Sequence, residues 1–364
     1  MSAVEDRAEG IRLLRDSAAA ISPRNGPLGR VRALRSTEAG FDRAVLAEMG
    51  ALGWLGLRVA EEAGGAGLGV AELCALAEEL GHGLAPEPFV AVAAIAAPLV
   101  PEEDVIAGAR VLLPAWAEKP HAVDASGTTS AAIDGATLRV TGRKIAVPMA
   151  AGADGFLVTA REGDALSVVL VETGVPGVTL HAESTVDGGH LGTLTLEAAR
   201  CVRVAEDASS RIARLLDEAA IATAAELVGL MDRAFAITLD YLNTRQQFGK
   251  PIGAFQVLQH RAADLKIQLE LARAAVSHAA SVCDDGAPAA QRAAAASLAK
   301  ARASDAALTV TRQAIQLHGG IGYTDEADIG LFLRRAMVLA ACFGTATAHR
   351  RRYAEAAPPL DVDA

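Results

Sequence analysis

The sequence changes its hydrophobic period twice along the chain, and this order of periods limits the folds open to it. Up to about residue 108 and again after residue 206, apolar residues recur three and four positions apart, as on one face of an α-helix. Between these parts lie short runs rich in Val, Leu and Thr, separated by turn residues, as in β-strands. We therefore predict an α+β fold with an N-terminal helical domain (1–108), a middle antiparallel β domain (109–206) and a C-terminal four-helix bundle (207–364).

Helical segments can be placed within both outer domains. The spacing of apolar residues predicts helices over residues 41–52 and 70–80 in the N-terminal part, and over 258–276 and 289–315 in the C-terminal part. The glycine-rich run 64–69 has only a superficial likeness to a dinucleotide-binding fingerprint, because no strand precedes it and no acidic residue follows at the right distance. We interpret it as a loop before a helix.

The middle region is interpreted as a small β domain. Turn residues such as Asp134-Gly135 and Asp187-Gly188-Gly189 separate its β-rich runs at short intervals, which favours a barrel or a sandwich. The predicted strands cover residues 137–141, 155–160, 167–172, 177–180 and 193–197.

The composition excludes several classes of protein. With 51% hydrophobic and 21% charged residues among 364, the chain is too apolar to be disordered. Its apolar residues form no block of about 18 to 20 that would span a bilayer, and its acidic N-terminus does not resemble a secretory signal. We therefore expect a cytoplasmic protein without membrane association. The net charge of −10 argues against a nucleic-acid partner, and cysteines that lie far apart without a CxxC pair predict no metal site.

Two stretches of the C-terminal part are unlike ordinary helix surface. Residues 245–256 interrupt the helical pattern with two glycines and a proline, and keep an arginine that suits a phosphate. Residues 316–324 carry three glycines, which let a ligand approach the backbone. The alternatives are a turn between helices with a capping arginine, and a glycine at a helix C-terminus. His318 either contacts a phosphate or bonds a carbonyl at the helix end.

Together these stretches resemble the acyl-CoA dehydrogenase family, whose members carry RxxFG…FQ and QxxGGxGY in this order on their third domain. Residues 52–57 and 61–67 are similar to the family's helical N-terminal domain. The resemblance implies a flavoprotein with FAD at a subunit interface, a reaction that dehydrogenates an acyl-CoA thioester between Cα and Cβ, and an electron-transfer flavoprotein as acceptor. Carried over by position, the residues offered to a neighbour's FAD are Arg245, Phe248, Gln256, Gln316, Gly319 and Gly320.

The catalytic base departs from the family pattern. Many members place a glutamate in a Y-E-G-T run, where this chain has Cys342-Phe343-Gly344-Thr345. Other members place it on the first helix of the C-terminal domain, at a position that corresponds to Ala219. Glu218 is one residue earlier, which turns its side chain by about 100° on a helix. Glu218 is therefore either a base on a shifted helix or part of an acidic first turn.

The residues that hold a chain's own flavin also depart from the family. The T-E-P-x-x-G-S-D run is reduced to residues 117–122 without its glycine and serine, and in the K-x-W-I-T run Ala146 replaces the tryptophan and Pro148 the threonine. Each loss removes a contact worth roughly 1 kcal/mol or more. The residues that the family offers to a neighbour's FAD are thus present, whereas several residues that would bind the chain's own FAD are replaced.

This asymmetry resembles the smaller subunit, without a base, of α2β2 acyl-CoA dehydrogenases, in which a larger homologous chain supplies the glutamate. Three alternatives remain open. The first is a self-sufficient homo-oligomer that uses Glu218 or another base, the second is a related flavin oxidase or desaturase, and the third is a binding or scaffold protein without chemistry.

Overall fold

The computed structural model describes residues 3–357. The N-terminal part is helical, as predicted, and its predicted helices 41–52 and 70–80 correspond to α3 and α4. The run 64–69 is a loop that leads into α4, where the carboxylate of Glu72 accepts a hydrogen bond of 3.0 Å from the backbone N–H of Gly69. The helices are α1 (Ala3–Ser17), α2 (Gly29–Leu34), α3 (Arg43–Ala51), α4 (Val70–His82), α5 (Phe89–Ala91), α6 (Ala97–Leu99) and α7 (Glu103–Ile106).

The middle part forms one sheet with the strand order β6-β7-β3-β2-β4-β5-β8, in which β1 also pairs with β4. The side chains of Val140, Phe156, Val158, Val169 and Leu194 are buried. The strands are β1 (Leu112–Ala115), β2 (Ser130–Asp134), β3 (Thr137–Pro148), β4 (Gly155–Glu162), β5 (Ala165–Glu172), β6 (Val178–Ser184), β7 (His190–Arg200) and β8 (Val202–Ala205).

The sheet is not wholly antiparallel, which corrects the sequence prediction. Strands β1 and β2 both pair with β4 in parallel, whereas the other pairs are antiparallel. A parallel pair needs a crossover instead of a hairpin, and β1 and β4 are indeed separated by the whole of β2 and β3. The five predicted strands correspond to β3–β7. Strands β1, β2 and β8 were not predicted.

The C-terminal part is helical and has α8 and α10 at its centre. Helix α8 packs against α4, α9, α10 and α11, and α10 also packs against α9 and α11, so that α8–α11 form the bundle and α12 lies on α10. Leu265, Leu269, Ala272 and Val276 of the predicted seam are buried. The elements are α8 (Ser209–Thr244), β9 (Gln246–Gln247), β10 (Lys250–Pro251), α9 (Gln256–Asp284), α10 (Ala289–His318), α11 (Ile329–Ala341) and α12 (Ala346–Ala356).

Glycines set the distance between the N-terminal domain and the bundle. A Cβ on Gly229 of α8 would lie 1.8 Å from the carbonyl oxygen of Glu78 on α4, and a Cβ on Gly81 would lie 2.1 Å from the carbonyl oxygen of Glu226. Both contacts are shorter than any side chain tolerates. The backbones of α4 and α8 therefore touch directly. This contact fixes which side of α8 points toward the junction of the domains.

One stretch, Ile329–Ala356, passes a length and hydropathy test for a membrane-crossing helix, with a mean hydropathy of 1.5 in its best window. From the sequence we had predicted no apolar block long enough to span a bilayer. In the structure it consists of α11 and α12, separated by a turn in which Phe343 and Gly344 have φ values of 53° and 99°. Part of it is buried in the folded C-terminal domain.

Candidate functional site

The two unusual stretches of the C-terminal part meet at one end of the bundle. The first follows the end of α8 and the second follows the end of α10, and these two helices pack side by side. Tyr241 in the last turn of α8 stacks on His318 in the last turn of α10, with ring centroids 4.5 Å apart. The structure thus brings Arg245, Phe248 and Gln256 to the same end of the bundle as Gln316, Gly319 and Gly320.

The first stretch is a β-hairpin of β9 and β10 that stands out from the bundle. Its turn residues Phe248 and Gly249 have positive φ values of 52° and 75°, and the ring of Phe248 is 89% exposed. Phe255 meets Phe248 edge to face at 6.0 Å, and the Nζ atom of Lys250 lies 4.3 Å from the centre of the Phe255 ring. Arg245 and Gln256, at the two ends of the stretch, are exposed.

The second stretch is a short 3₁₀ turn that follows α10. Gly319 has a φ of 65° and, like Gly320, has an open space where a side chain would be. Gln316 is exposed, and Tyr323 is 84% exposed. His318 does not reach out to a ligand, because it is buried and its Nδ1 donates to the carbonyl oxygen of Ala314 at 2.8 Å. The second alternative for this histidine is therefore confirmed.

Together, the two stretches form a surface that combines hydrogen-bonding groups with exposed rings. Guanidinium and amide groups suit phosphate oxygens, and the exposed rings of Phe248 and Tyr323 can stack on a flat ligand group. The arrangement can bind a phosphate-bearing ligand that another molecule holds against it.

Phe343 stands at the sequence position of the family's glutamate. It lies where the three domains meet, away from the two stretches at the end of the bundle. Its backbone is left-handed, and its ring stacks on Trp116 just beyond the end of β1, with an interplanar angle of 8° and centroids 6.3 Å apart. No group on this ring accepts a proton. The place where a base would stand is occupied by an aromatic pair that links the β domain to the bundle.

Buried polar groups hold the turn that carries Phe343. The Nζ atom of Lys300 donates to the carbonyl oxygens of Ala340 and Gly344 at 3.1 Å each, and Nε2 of His349 donates to the carbonyl oxygen of Phe343 at 2.8 Å. Burial lowers the pKa of Lys300 to about 8. Burial and the nearby Lys300 lower the pKa of His349 to about 3, so this histidine is neutral at neutral pH.

A small cavity of about 50 Å³ lies beside Phe343, where the three domains meet. Its walls include Phe89 from the N-terminal part, Met149 from the β domain, and Glu226 and Arg335 from the bundle. Cavities that bind a cofactor or a drug-sized ligand usually measure about 300–1,000 Å³. The cavity is therefore too small for more than a short acyl group.

Glu226 is a residue of this cavity that the sequence analysis missed. One of its oxygens accepts from Nη2 of Arg335 at 2.8 Å, and the same guanidinium donates to Asp187 at 3.2 Å. Burial raises the pKa of Glu226 in spite of the arginine. The sequence feature that could have identified it is a single acidic residue within the otherwise apolar run Ala224-Ala225-Glu226-Leu227-Val228.

The structure gives Glu218 a different role from both of the predicted ones. This carboxylate is 1% exposed and accepts hydrogen bonds from Arg58 and Arg214, the shortest of which are 2.9 Å for each arginine. Both of its oxygens are occupied and it does not line the cavity beside Phe343, so its surroundings do not favour the predicted role of a catalytic base. The acidic first turn is wrong, since α8 begins at Ser209 and Glu218 lies well inside it.

The β-domain residues at the positions that would bind the chain's own flavin have contacts of a different kind. Ala146 has a φ of 56°, at an irregularity in the pairing of β3 with β7. Glu118 and Lys144, which the chain keeps, bind each other at 2.8 Å. Although burial opposes it, hydrogen bonds from Lys144 and from backbone N–H groups lower the pKa of Glu118 to about 2. These two residues form a structural ion pair.

Comparison with known proteins decides the family. Residues 9–101 match the model of the acyl-CoA dehydrogenase N-terminal domain, and residues 210–357 match that of the C-terminal domain. This chain belongs to the acyl-CoA dehydrogenase family. Acyl-CoA dehydrogenases are FAD-dependent oxidoreductases, and the predicted enzyme class, cofactor and fold are thereby confirmed.

Similar acyl-CoA dehydrogenases cover almost the whole chain. Acyl-CoA dehydrogenase IpdE2 of Mycobacterium tuberculosis is 32% identical over 89% of this chain and 90% of its own length. A solved structure described as a variant of the Tcur3481–Tcur3483 steroid ACAD has a TM-score of 0.85 and 31% identity, and it covers 96% of this chain and 98% of its own. The ChsE4–ChsE5 complex from Mycobacterium tuberculosis has a TM-score of 0.83 and 27% identity, with 96% of each chain covered.

The residues of this acyl-CoA dehydrogenase fit FAD at only one of two places. The exposed hairpin and glycine turn at the end of the bundle offer a guanidinium, amides and backbone N–H groups, which suit the adenosine-diphosphate part. The β domain offers Ala146 and Pro148 where a ring and a hydroxyl would contact the isoalloxazine, and Trp116 and Phe343 fill the place of the base. The chemistry of the exposed end of the bundle therefore suits FAD better than that of the chain's own β domain does.

Proposed function

We propose that this chain is the smaller subunit of an α2β2 acyl-CoA dehydrogenase and completes an FAD site in a larger, homologous subunit. One observation carries the proposal: Phe343 stacks on Trp116 where a base would stand, while the hairpin and glycine turn offered to a neighbour's FAD stay open to solvent. A chain that used its own site would need a carboxylate and a cavity of ligand size at that place. Relatives described by paired names, Tcur3481–Tcur3483 and ChsE4–ChsE5, support this reading.

In this assembly each of the offered residues has a role at the neighbour's cofactor. Arg245 would hold the diphosphate, Gln256 and Gln316 would donate amide hydrogens, and Phe248 would contact the adenosine-diphosphate part of the cofactor. Gly319 and Gly320 let backbone N–H groups come close to the ligand, because a Cβ would stand in its way. When bound, the flavin accepts the hydride that leaves Cβ of the acyl-CoA.

The glutamate that removes the α-proton comes from the larger subunit. Glu218 of the present chain is no proton acceptor for that reaction, since both of its oxygens are held by arginines. Electrons then pass to an electron-transfer flavoprotein, and the assembly works in the cytoplasm.

The interface role is tested by measuring bound flavin in the co-purified complex. We expect Arg245→Ala to lower FAD occupancy by at least tenfold at limiting FAD, since a charge-assisted contact to phosphate is lost. Arg350→Ala removes an exposed arginine from α12 and serves as the matched control. Full occupancy in Arg245→Ala would remove Arg245 from the FAD site.

A second candidate function is a self-sufficient dehydrogenase that uses Glu226 as its base. It is favoured by one observation, namely that this buried carboxyl, whose pKa burial raises, faces the same cavity as Phe343. The test is acyl-CoA turnover by the isolated, FAD-loaded chain and its Glu226→Gln variant. Turnover that the variant loses supports the second candidate, whereas no turnover in either protein supports the subunit role.

A further inference from the structure

A pair of stacked rings lies between the two stretches that would meet a neighbour's FAD. Tyr241 stands in the last turn of α8, four residues before Arg245, and His318 ends α10 directly before Gly319. The ring centroids are 4.5 Å apart, and the two planes are inclined by only 22°. The stack therefore joins the two helix ends at which the hairpin and the glycine turn (Gly319–Tyr323) leave the bundle.

On the α8 side, backbone hydrogen bonds connect the stack to the hairpin. The N–H of Arg245 donates to the carbonyl oxygen of Tyr241 at 2.9 Å, and the N–H of Ile252 donates to the carbonyl oxygen of Arg245 at 2.9 Å. Arg245 itself is exposed, whereas Tyr241 is half-buried. The point at which the Arg245 side chain leaves the bundle therefore depends on where Tyr241 is held.

On the α10 side, the glycine turn is built directly on His318. This histidine is buried, and its Nδ1 donates to the carbonyl oxygen of Ala314 at 2.8 Å. The turn folds back on it, because a Cβ on Gly322 would lie only 3.1 Å from the Cβ of His318. Gly319 and Gly320, by contrast, have open space around them. The position of their backbone N–H groups is therefore set by His318.

Each stretch packs on its own helices. Strand β10 of the hairpin contacts α8, and the glycine turn contacts α10 and α11. The last turn of a helix is its least constrained part, because its final carbonyl groups have no partner within the helix. Groups that bind one ligand together have to be held within about 0.5 Å of their working positions. A contact between the two last turns supplies this constraint.

The rings themselves are poorly suited to bind the phosphates. Burial lowers the pKa of His318, so its ring is uncharged at neutral pH. Its Nδ1 is occupied by Ala314, and one face of its ring is covered by Tyr241. A role through the positions of neighbouring groups fits these contacts, whereas a role as a phosphate ligand does not.

We propose that Tyr241 and His318 are positioning residues, which hold Arg245 and the glycine turn in register for one bound adenosine-diphosphate group. The inference rests on the proposed function, because that group belongs to the FAD of a neighbouring subunit. Stacked rings have preferred distances and orientations. Loss of either ring therefore releases both stretches at once, and a replacement that keeps a ring at position 241 preserves the register.

The first test titrates FAD into the co-purified complex after its flavin has been removed. We expect Tyr241→Leu and His318→Leu each to weaken FAD binding by roughly fivefold or more, and Tyr241→Phe to bind like the unchanged complex. The double variant should lose much less than the product of the two single losses, because both remove one shared contact. At saturating FAD, turnover should return to that of the unchanged complex, since neither ring takes part in the chemistry.

A matched control makes the same substitution elsewhere. Tyr353→Leu changes an exposed tyrosine on α12 and should leave FAD binding unchanged. Thermal melting followed by circular dichroism shows which variants are folded. If Tyr241→Leu folds poorly, His318→Leu carries the test from the other helix.

Hydrogen exchange in the isolated chain measures the register without FAD or a partner. Removal of either ring should speed the exchange of backbone amides in both stretches, 246–251 and 319–323. A purely local packing role predicts faster exchange only in the stretch that follows the substituted helix. That result would overturn the proposal.

Arg245→Ala separates this inference from the proposed function on which it rests. If Arg245→Ala weakens FAD binding while folded Tyr241→Leu and His318→Leu do not, the positioning role is wrong and the FAD site stands. If Arg245→Ala itself leaves FAD binding unchanged, the proposed function is wrong, and the positioning role toward FAD is wrong with it. Lost turnover at saturating FAD would also contradict a role limited to position.

Discussion

Two glutamates on α8, Glu218 and Glu226, are both buried, and the groups around them give them different properties. Glu218 has an arginine at each oxygen. Glu226 shares a single guanidinium with Asp187, and burial raises its pKa. Sequence position alone pointed to Glu218, because it lies one residue from the place of a family base. Arg214 lies one helical turn earlier, but the second arginine, Arg58, comes from a loop 160 residues earlier, and such a contact has no local signal.

At this scale we predict that Glu218→Gln lowers stability without changing chemistry. The variant leaves Arg58 and Arg214 without their carboxylate, and the loss of a buried ion pair typically costs about 2–4 kcal/mol. Denaturant unfolding of the isolated chain measures the difference, with the exposed Glu62→Gln as control. Turnover of the assembled complex, corrected for the folded fraction, should stay the same. Normal stability combined with lost turnover would return Glu218 to the active site.

The buried His349 gives a prediction for pH. Its pKa is lowered from 6.5 to about 3 in the folded chain, so the unfolded chain takes up a proton first as the pH falls. Stability therefore decreases as the pH falls from about 6.5 toward 3, by up to about 1.4 kcal/mol per pH unit from this residue alone. His349→Asn should have a shallower loss between about pH 6.5 and 4.5 in urea unfolding. Equal slopes for both proteins would show that His349 is not buried as a neutral ring.

At the scale of elements, the four helices given by residue range were predicted close to their observed bounds, whereas the start of α8 and part of the sheet were not. The long helices have a strong period of three and four, and α4, α9 and α10 begin within a few residues of the predicted starts. Strands β1, β2 and β8 are four or five residues long. Strands β1 and β8 pair with β4 and β5, which are distant in sequence, so nothing local marks these two as strands. Strand β2 forms a hairpin with the adjacent β3 through the turn at Asp134-Gly135, which the sequence did show, but its own five residues were not predicted as a strand.

The turn that holds Phe343 could not be predicted from the sequence either, because its contacts come from residues far apart in the chain. Lys300 stands in an alanine-rich helix, where a lysine is ordinarily a surface residue. In the structure it is fully buried and bonds the carbonyl oxygens of Ala340 and Gly344. The sequence could show that Phe343 replaces a glutamate. It could not show that the turn is fixed or that Trp116 lies against the ring.

The close contact of α4 with α8 can be tested by adding a single methyl group. Gly229→Ala places a Cβ against the backbone of Glu78, and we expect a loss of about 1–3 kcal/mol as the helices move apart. Gly10→Ala is the matched control, because it lies in α1 with open space around it, and we expect it to be neutral or slightly stabilising. The measurement is thermal or denaturant unfolding of both variants. Equal stability would mean that α4 and α8 are not in contact at Gly229.

At the scale of the whole molecule, the junction of the three domains is filled by side chains, whereas the end of the bundle is exposed. The domain junction, where a family member has its base, is filled by Phe343 and Trp116 and leaves a cavity of about 50 Å³. The end of the bundle exposes Phe248 and Tyr323 together with polar groups that suit FAD phosphates. The order of domains and the motifs could be predicted from sequence. Their meeting at one end of the bundle follows from α8 and α10 lying side by side.

The most direct test of the subunit role is the flavin content of the purified chain. It is measured by the visible absorbance of bound flavin after expression alone, and after co-expression with a larger acyl-CoA dehydrogenase chain that keeps the glutamate and the K-x-W-I-T run. We predict a nearly colourless, inactive protein alone, and a yellow complex that oxidises an acyl-CoA. Stoichiometric FAD and acyl-CoA turnover from the chain alone would contradict the account.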